Sequence, residues 1–500
     1  CDMLGFPRGR ALALMSVALV AQRTGALALT PPPHNSRRVR HLPAIIDVVC
    51  SANAADARAP LPPPPPPLAI TEVAGRAEAR TTLSVATVLL AAFLNLLGFT
   101  MTLPLTLALR THFSLTTGAS FGSLSSAYPL GMLFALFMWP RLSDRVGRKP
   151  VISLSLLGSG VGLAGQCYAV HNGWGLTPFL LCRTLTGCCA GASPVAKAYL
   201  ADLGVASGKL PKYMSWRDAA TTLAFITGPL VGGKLFVATG SLASVIGMTA
   251  ATSIAASLLV STLVLEPPGT VGAAAARGQL KDAKDGKEPA VDDGQVACPL
   301  GRSLVAAVAT VCAVSALYNC GSSTYSAFFA PLAQEVAGLG VQGVGLAYTC
   351  LSCVSFAVSV SVAAPAQRAL GTVATAVCGL TSVGAGLIFI GLTTALDATS
   401  RFRTLLFWLA ATLYQVGVPL FTPTVPTMLL KCVPRHRRGA MMGLDEAFNT
   451  LARVCAPIAF GSLYSSFGAP VCCGAAGMAV LLAALLAIFR RFVVLRSAYG

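Results

Sequence analysis

Four basic residues lie inside long apolar runs of this 500-residue sequence: Arg183, Lys197, Lys234 and Arg453. A charged side chain at the centre of a membrane costs about 2.5–3.5 kcal/mol on insertion scales, so such residues mark candidate functional sites. Lys197 and Lys234 lie near the ends of their runs, where a long side chain can extend to the interface. Arg183 and Arg453 are the stronger candidates, and the chemistry they offer is the binding of an anion.

The same apolar runs have no Asp, Glu or His in their middle parts. A side chain that relays protons through a membrane must gain and lose a proton, and the amide of an Asn such as Asn95 cannot do so. Asp218 and Glu446 remain as possible proton relays near the ends of the runs. Four further polar residues are candidates to line a cavity between the helices: Asn95, Asn319, Gln415 and Asn449. A polar side chain in a helix bundle forms a helix–helix hydrogen bond as often as it binds a ligand.

Composition indicates what kind of protein positions these groups. The chain is 55% apolar and 11% charged, with a mean hydropathy of +0.71. Repeated runs of about 20 apolar residues predict membrane-spanning helices, because only helices and closed barrels satisfy their backbone in lipid. The runs do not alternate as barrel strands do, so we predict an all-α membrane protein with twelve spans, referred to as spans 1 to 12. They lie near 83–107, 119–140, 150–170, 176–201, 216–237, 242–264, 303–329, 340–364, 371–394, 403–430, 440–464 and 469–489.

The spans divide into two six-helix halves, 81–265 and 303–490. A segment rich in Pro, Gly and mixed charge, 266–302, reads as a linker between them, and 491–500 is a tail. Lys and Arg are concentrated beside the loops after spans 2, 4, 6, 8 and 10, which we call the basic side; the opposite face is the outer side. The positive-inside rule places the basic side in the cytosol or its topological equivalent.

Residues 1–80 differ in composition from the rest. They contain a signal-like apolar run, an Arg-rich stretch and PLPPPPPPL. Two interpretations stay open: a signal or transit peptide, or an extension with no targeting role. The membrane is therefore open between plastid envelope, plasma membrane and endomembrane. The sequence indicates no metal site, no cofactor and no nucleic-acid partner, and we expect an integral, multi-pass monomer that is not an enzyme.

The stretch RLSDRVGRKP, residues 141–150, concentrates charge between spans 2 and 3. Gly147 can supply a tight turn, and Arg145, Arg148 and Lys149 can anchor at lipid headgroups. Asp144 is the unusual member, because a carboxylate at a membrane edge needs a cation or a helix N-terminus.

WPRLSDRVGRKPVI resembles the signature loop of the major facilitator superfamily, with Pro140 where the family usually has Gly. The resemblance implies a cytoplasmic latch between the two halves, in which Asp144 pairs with the start of span 11 or with a basic residue near it. AAPAQRALG, residues 363–371, resembles a degenerate second copy without the acid. The latch residues that the resemblance implies are Asp144, Arg145, Gly147, Arg148, Lys149 and Asp202.

Glycine motifs support the same family. FLLCRTLTGCCAGASPVAKAYLAD in span 4 resembles its R-x-x-x-G-x-x-x-G helix, with Arg183, Gly187 and Gly191. FITGPLVGGKLF in span 5 resembles the antiporter motif, with Gly228, Pro229, Gly232 and Gly233. FLNLLGFTMTLPL in span 1 and the start of span 11 resemble the tetracycline-efflux-like branch. Glycines four residues apart share a helix face and allow close backbone approach.

The resemblance implies a transporter with the major facilitator fold that moves a small organic solute by alternating access. Its branch implies drug or metabolite antiport with protons, yet the expected deep carboxylate is missing. The alternatives are an organic-anion uniporter that uses Arg183 and Arg453, or a transporter-like receptor or scaffold. The expected partners are a small organic solute, a proton or other coupling ion, and the lipid bilayer.

Overall fold

A computed structural model describes residues 67–115, 117–266, 302–397, 401–433 and 438–499. These residues are almost entirely helical. The first half comprises α1 (Pro67–Met101), α2 (Thr106–His112), α3 (Gly118–Val146), α4 (Arg148–His171), α5 (Leu176–Cys188), α6 (Ala192–Ser207), α7 (Leu210–Thr239) and α8 (Leu242–Leu263). The second comprises α9 (Arg302–Ala337), α10 (Val341–Val358), a π-helix (Ser359–Ala363), α11 (Ala364–Leu370), α12 (Thr372–Thr393), α13 (Arg401–Phe421), α14 (Thr424–Cys432) and α15 (Arg438–Tyr499).

Eleven helical stretches within the described residues are long and apolar enough to cross a membrane. The last of these, Met441–Phe489, contains Gly468 with a non-helical φ of 82° and ψ of 179°, so it comprises spans 11 and 12. The all-α, twelve-span architecture predicted from the sequence is confirmed, and the chain is an integral, multi-pass membrane protein.

Several helix boundaries differ from the sequence prediction. Span 1 was predicted to reach residue 107, but its helix ends at Met101, and span 10 is divided between Phe421 and Thr424. The first helix begins at Pro67, within the segment assigned to the leader, because proline suits the first position of a helix. Span 4 is not one helix: α5 ends at Cys188 and α6 starts at Ala192. Residues 1–66 and most of the linker, 267–301, lie outside the described residues.

The break in span 4 has local hydrogen-bond partners. The Trp139 indole donates to the Cys188 carbonyl at 2.7 Å, and Ser155 donates to the Cys189 carbonyl at 2.6 Å. A side chain at Gly191 would overlap the Trp139 ring. Because span 4 is interrupted between Cys188 and Ala192, Gly187 and Gly191 do not share an unbroken helix face. The carbonyls freed by the break accept hydrogen bonds from neighbouring spans.

Close backbone approach at the other motif glycines is confirmed. A Cβ at Gly187 would overlap the Tyr128 carbonyl, so spans 2 and 4 pack closely. In span 5, a Cβ at Gly228 would overlap Thr100, and a Cβ at Gly232 would overlap the Met101 carbonyl. These two glycines therefore hold span 5 against span 1.

Among the described residues, the two halves meet on the outer side. Spans 2 and 11 approach backbone to backbone, with Gly118 against Gly461 and Gly122 against Pro457. Spans 5 and 8 are joined by a hydrogen bond of 2.8 Å from the Thr349 hydroxyl to the Ile226 carbonyl.

The hydrophobic cores show the same asymmetry. One cluster of buried residues includes side chains from both halves. A second cluster comes from the first half alone and lies at the basic ends of its spans, with Val85, Trp139, Tyr199 and Val264 as members. The halves therefore share a core on the outer side, and no cluster of described residues joins them at the basic ends of their spans. The molecule is closed on the outer side.

We predict that Gly122→Ala destabilises this closure, because its methyl group would overlap the Pro457 carbonyl. Overpacking of this kind costs about 1–3 kcal/mol, so the apparent melting temperature of the purified protein should fall by several degrees. Gly443→Ala is the matched control, because a Cβ at Gly443 in span 11 has nothing within 4 Å. Equal melting temperatures for the two variants would contradict the proposed contact.

Candidate functional site: a cationic central cavity

A cavity of about 560 Å³ lies between the two halves. Its walls come from spans 1, 2, 4 and 5 of the first half and from spans 7, 8, 10 and 11 of the second. Among the described residues, the only charged side chains that line it are Arg183 and Arg453, which the sequence had singled out. No carboxylate of this described lining accompanies them, so the lining is cationic.

Hydroxyl groups form most of the remaining polar lining. Five tyrosines contribute, and Tyr325 stacks on Tyr414 with ring centroids 3.9 Å apart. The tyrosines are Tyr128, Tyr318, Tyr325, Tyr348 and Tyr414. Span 8 adds Ser352, Ser355 and Ser359, the last at the start of the π-helix. Sequence analysis missed these tyrosines as a group, because they converge from four spans.

Arg183 is the less satisfied of the two arginines. Its Nη1 lies 3.5 Å from Gln166 Oε1, a long hydrogen bond, and its buried Nε has no partner among the described residues. Gln166 in turn donates to Thr186 at 2.8 Å. The guanidinium is therefore oriented by a neutral amide and has donors left for a ligand.

Arg453 is held more firmly. Its Nε donates to Asn319 Oδ1 at 2.9 Å, and its Nη1 lies 3.6 Å from Glu446 Oε1. Asn319 is anchored by the Ser315 carbonyl at 2.9 Å. Asn319 therefore positions the guanidinium rather than lining the cavity, and the Glu446 pair is too long for a hydrogen bond.

The other sequence candidates divide. Gln415 lines the cavity. Asn95 does not; it lies in a separate small pocket within the first half. Asn449 also lies outside the cavity lining and donates to the buried carboxylate of Asp445 at 3.0 Å. Asp445 was not among the sequence candidates, and nothing in its neighbours in the sequence signalled burial.

The charged loop forms a network within the first half. Arg148 contacts Asp144 at 2.7 Å, Asp202 at 3.2 Å and the Ser143 hydroxyl at 2.6 Å. Gly147 has a φ of 111°, which favours glycine and confirms the predicted turn. Arg145 is exposed. Residues 434–437, before span 11, lie outside the described residues, so the latch between the halves stays a prediction.

Glu266 completes this network and was missed by sequence analysis, which assigned it to the linker. Its carboxylate accepts from the backbone N–H of Arg148 at 2.6 Å and of Lys149 at 2.9 Å. It therefore caps the N-terminus of α4, where the helix dipole favours a negative charge. The Tyr199 hydroxyl donates to the carbonyl of Leu265, the residue before Glu266, at 2.8 Å and so holds the backbone beside the cap.

The second copy of the loop shares the turn. Gly371 has a φ of 83° and ψ of 162°, beside 111° and 162° at Gly147. A Cβ at Gly371 would meet nothing within 4 Å, whereas one at Gly147 would contact Glu266. Among the described residues, a carboxylate therefore lies against the turn glycine in the first copy and not in the second.

This fold, with two six-helix halves around a shared central cavity, is that of a polytopic membrane protein built from two helical bundles. The family profile of the Major Facilitator Superfamily matches residues 88–395 and 311–497. The chain belongs to this superfamily, as its motifs suggested.

Curated relatives match over short segments. The chain is 32% identical over 117 residues to the major facilitator-type transporter psiT2 of Psilocybe cyanescens, covering 23% of this chain and 21% of that protein. It is 32% identical over 113 residues to the class B tetracycline resistance protein of Escherichia coli, covering 23% and 27%. The chain thus matches about a fifth to a quarter of these relatives' length, and the resemblance to a drug-efflux-like branch is confirmed.

Solved structures match nearly the whole described fold. The human organic anion transporter MFSD10 aligns with a TM-score of 0.56 and 19% identity, covering 81% of this chain and 99% of that one. The peptide-transporter-family protein PepTSo aligns with a TM-score of 0.65 and 14% identity, covering 82% and 98%. At these identities the likeness establishes the fold alone.

We predict that Glu266→Gln destabilises the first half, because the amide keeps the shape of the cap but loses its charge. A charge at a helix terminus contributes about 0.3–1 kcal/mol, and up to about 2 kcal/mol when partly buried, so the melting temperature should fall by a few degrees. Asp218→Asn is the control, since Asp218 is an exposed carboxylate on the same side whose described ion pair is with the adjacent Arg217. A fall no larger than that of the control would contradict the cap.

Proposed function

We propose that this protein is a secondary active or facilitative transporter that moves a small organic anion across its membrane by alternating access. One observation carries the proposal: in the part of the chain that the structure describes, the only charged groups lining the central cavity are two arginines, with no carboxylate beside them. Family and fold favour transport rather than catalysis.

The cavity chemistry suits an anion with an apolar or aromatic body. Charge-assisted bonds from guanidinium to carboxylate are short and strong, and Arg183 has unused donors. The tyrosine rings offer a flat surface, and the serines of span 8 offer further hydrogen bonds. A substrate carboxylate can also replace Glu446 at Arg453, because that pair is long and about two-fifths exposed.

Alternating access is supported by the asymmetry of the contacts. The halves meet on the outer side, while the charged loop lies at the opposite end of span 2, where the described contacts of Asp144 stay within one half. We propose that Asp144, Arg145, Arg148 and Asp202 close the basic side when the outer side opens. In that movement, Gly122 and Pro457 separate.

Proton-coupled drug export is the second candidate, favoured by the local identity to the class B tetracycline resistance protein. It requires a group that titrates. Asp445 and Glu446 are carboxylates beside the cavity network, since Asn449 donates to Asp445 and Glu446 faces Arg453. Neither lines the cavity, which is why we place this function second.

We predict that purified protein in proteoliposomes takes up an aromatic carboxylate, and that Arg183→Gln and Arg453→Gln each weaken this uptake about tenfold or more. A hydrogen bond to a charged group contributes about 1.5–3 kcal/mol. The measurement is the initial rate against concentration, beside a neutral sugar and a lipophilic cation of similar size.

Lys197→Gln is the matched control, because Lys197 is an exposed cation in the same span as Arg183 and does not line the cavity. Its uptake should equal that of the wild type. Uptake of the cation rather than the anion would favour the second candidate, and binding without flux in any of these assays would favour a receptor.

We further predict that Asp144→Asn slows transport several-fold at saturating substrate while leaving the binding constant unchanged. The reason is that Asp144 lies away from the cavity and acts on closure of the basic side. Asp397→Asn, an exposed carboxylate on the outer side and outside the latch, serves as the comparison and should transport normally. An Asp144→Asn variant with wild-type turnover would refute the latch.

A further inference from the structure

A second, smaller cavity of about 240 Å³ lies on the outer side, separate from the central one. Its walls come from both halves. The first half contributes Arg110 and Phe121, from α2 and the start of span 2, and the second contributes Phe328 and Tyr464, from spans 7 and 11. It adjoins the contact between Gly118 and Gly461, where the two halves meet.

Arg110 is a half-buried cation in this pocket without an ion pair or side-chain hydrogen bond among the described residues. Its guanidinium lies 5.9 Å from the centre of the Phe121 ring. The acidic residue of this region, Glu335, has its described ion pair with Arg403, whose Nη2 lies 3.7 Å away, and not with Arg110. The guanidinium fork of Arg110 is therefore available to an anion from outside the chain.

The remaining walls are aromatic. Phe328 and Tyr464 stack with centroids 5.0 Å apart and an interplanar angle of 15°, and Phe121 lies 5.6 Å from Phe328. The described structure gives no hydrogen-bond partner to the Tyr464 hydroxyl. Three aromatic rings, one of which carries a free phenol hydroxyl, lie beside the Arg110 guanidinium. This arrangement suits a flat ring that carries an acid group.

We propose that this outer pocket is a binding site for a small aromatic carboxylate, held by Arg110 and Tyr464. Because its walls belong to both halves, the ligand bridges them across the closed outer face. Separation of the halves on this side takes the site apart, so the bound ligand favours the closed arrangement described here. The site differs from the central cavity in its residues and in the face from which it is reached.

Equilibrium binding of radiolabelled benzoate to the purified full-length protein tests the proposal, with benzamide as the neutral competitor of the same shape. Arg110→Gln should weaken benzoate binding at least tenfold, and Tyr464→Phe should weaken it several-fold. Arg401→Gln is the matched control, an exposed arginine also on the outer side but outside the pocket, and should bind as the wild type does. Benzamide should compete poorly.

Benzoate that binds the central cavity is distinguished by Arg453→Gln, which should leave the component sensitive to Arg110 intact. If Arg110→Gln does not fold, Ser465→Trp fills the pocket from the other half and should abolish the same component. Wild-type binding by folded Arg110→Gln, or an equal loss in Arg401→Gln, would overturn the assignment. Absence of saturable benzoate binding to the wild type would overturn it as well.

Discussion

Hydrocarbon offers no hydrogen bonds to a polar group, and this constraint determines which residues the protein can place inside the membrane and where. Backbone groups are satisfied within helices, and at the break in span 4 they are satisfied by Trp139 and Ser155 from neighbouring spans. Charged side chains face a stricter limit, because each needs a partner or water. Arg183 and Arg453 meet it by facing a cavity between the halves.

Glycine makes the arrangement of the halves possible. Where spans 2 and 11 meet, Gly118 lies against Gly461 and Gly122 against Pro457, so the backbones touch without intervening side chains. Contacts of this kind have little side-chain interlocking to undo. They suit two rigid bundles that separate on one side while closing on the other.

The charged loop shows how a sequence motif acquires a partner that its own pattern does not reveal. Arg148 joins the ends of spans 2, 3 and 4 through Asp144 and Asp202. Glu266 adds the end of span 6 by binding two backbone N–H groups of α4. The first half thus carries its own rigid network at the basic side, and the linker starts directly from it.

The sequence by itself determined the class, the twelve spans, the superfamily and the two cavity arginines, because hydropathy, glycine spacing and isolated charges are local properties of the chain. It also determined the turn at Gly147. Tertiary structure alone decided which polar residues lie together. Five tyrosines line one cavity, Asn95 lies in another pocket, and Asn319 accepts a hydrogen bond from Arg453. Tertiary structure also buried Asp445 and brought Glu266 to α4. These outcomes depend on helix rotation and on contacts between spans far apart in sequence, which no local pattern encodes.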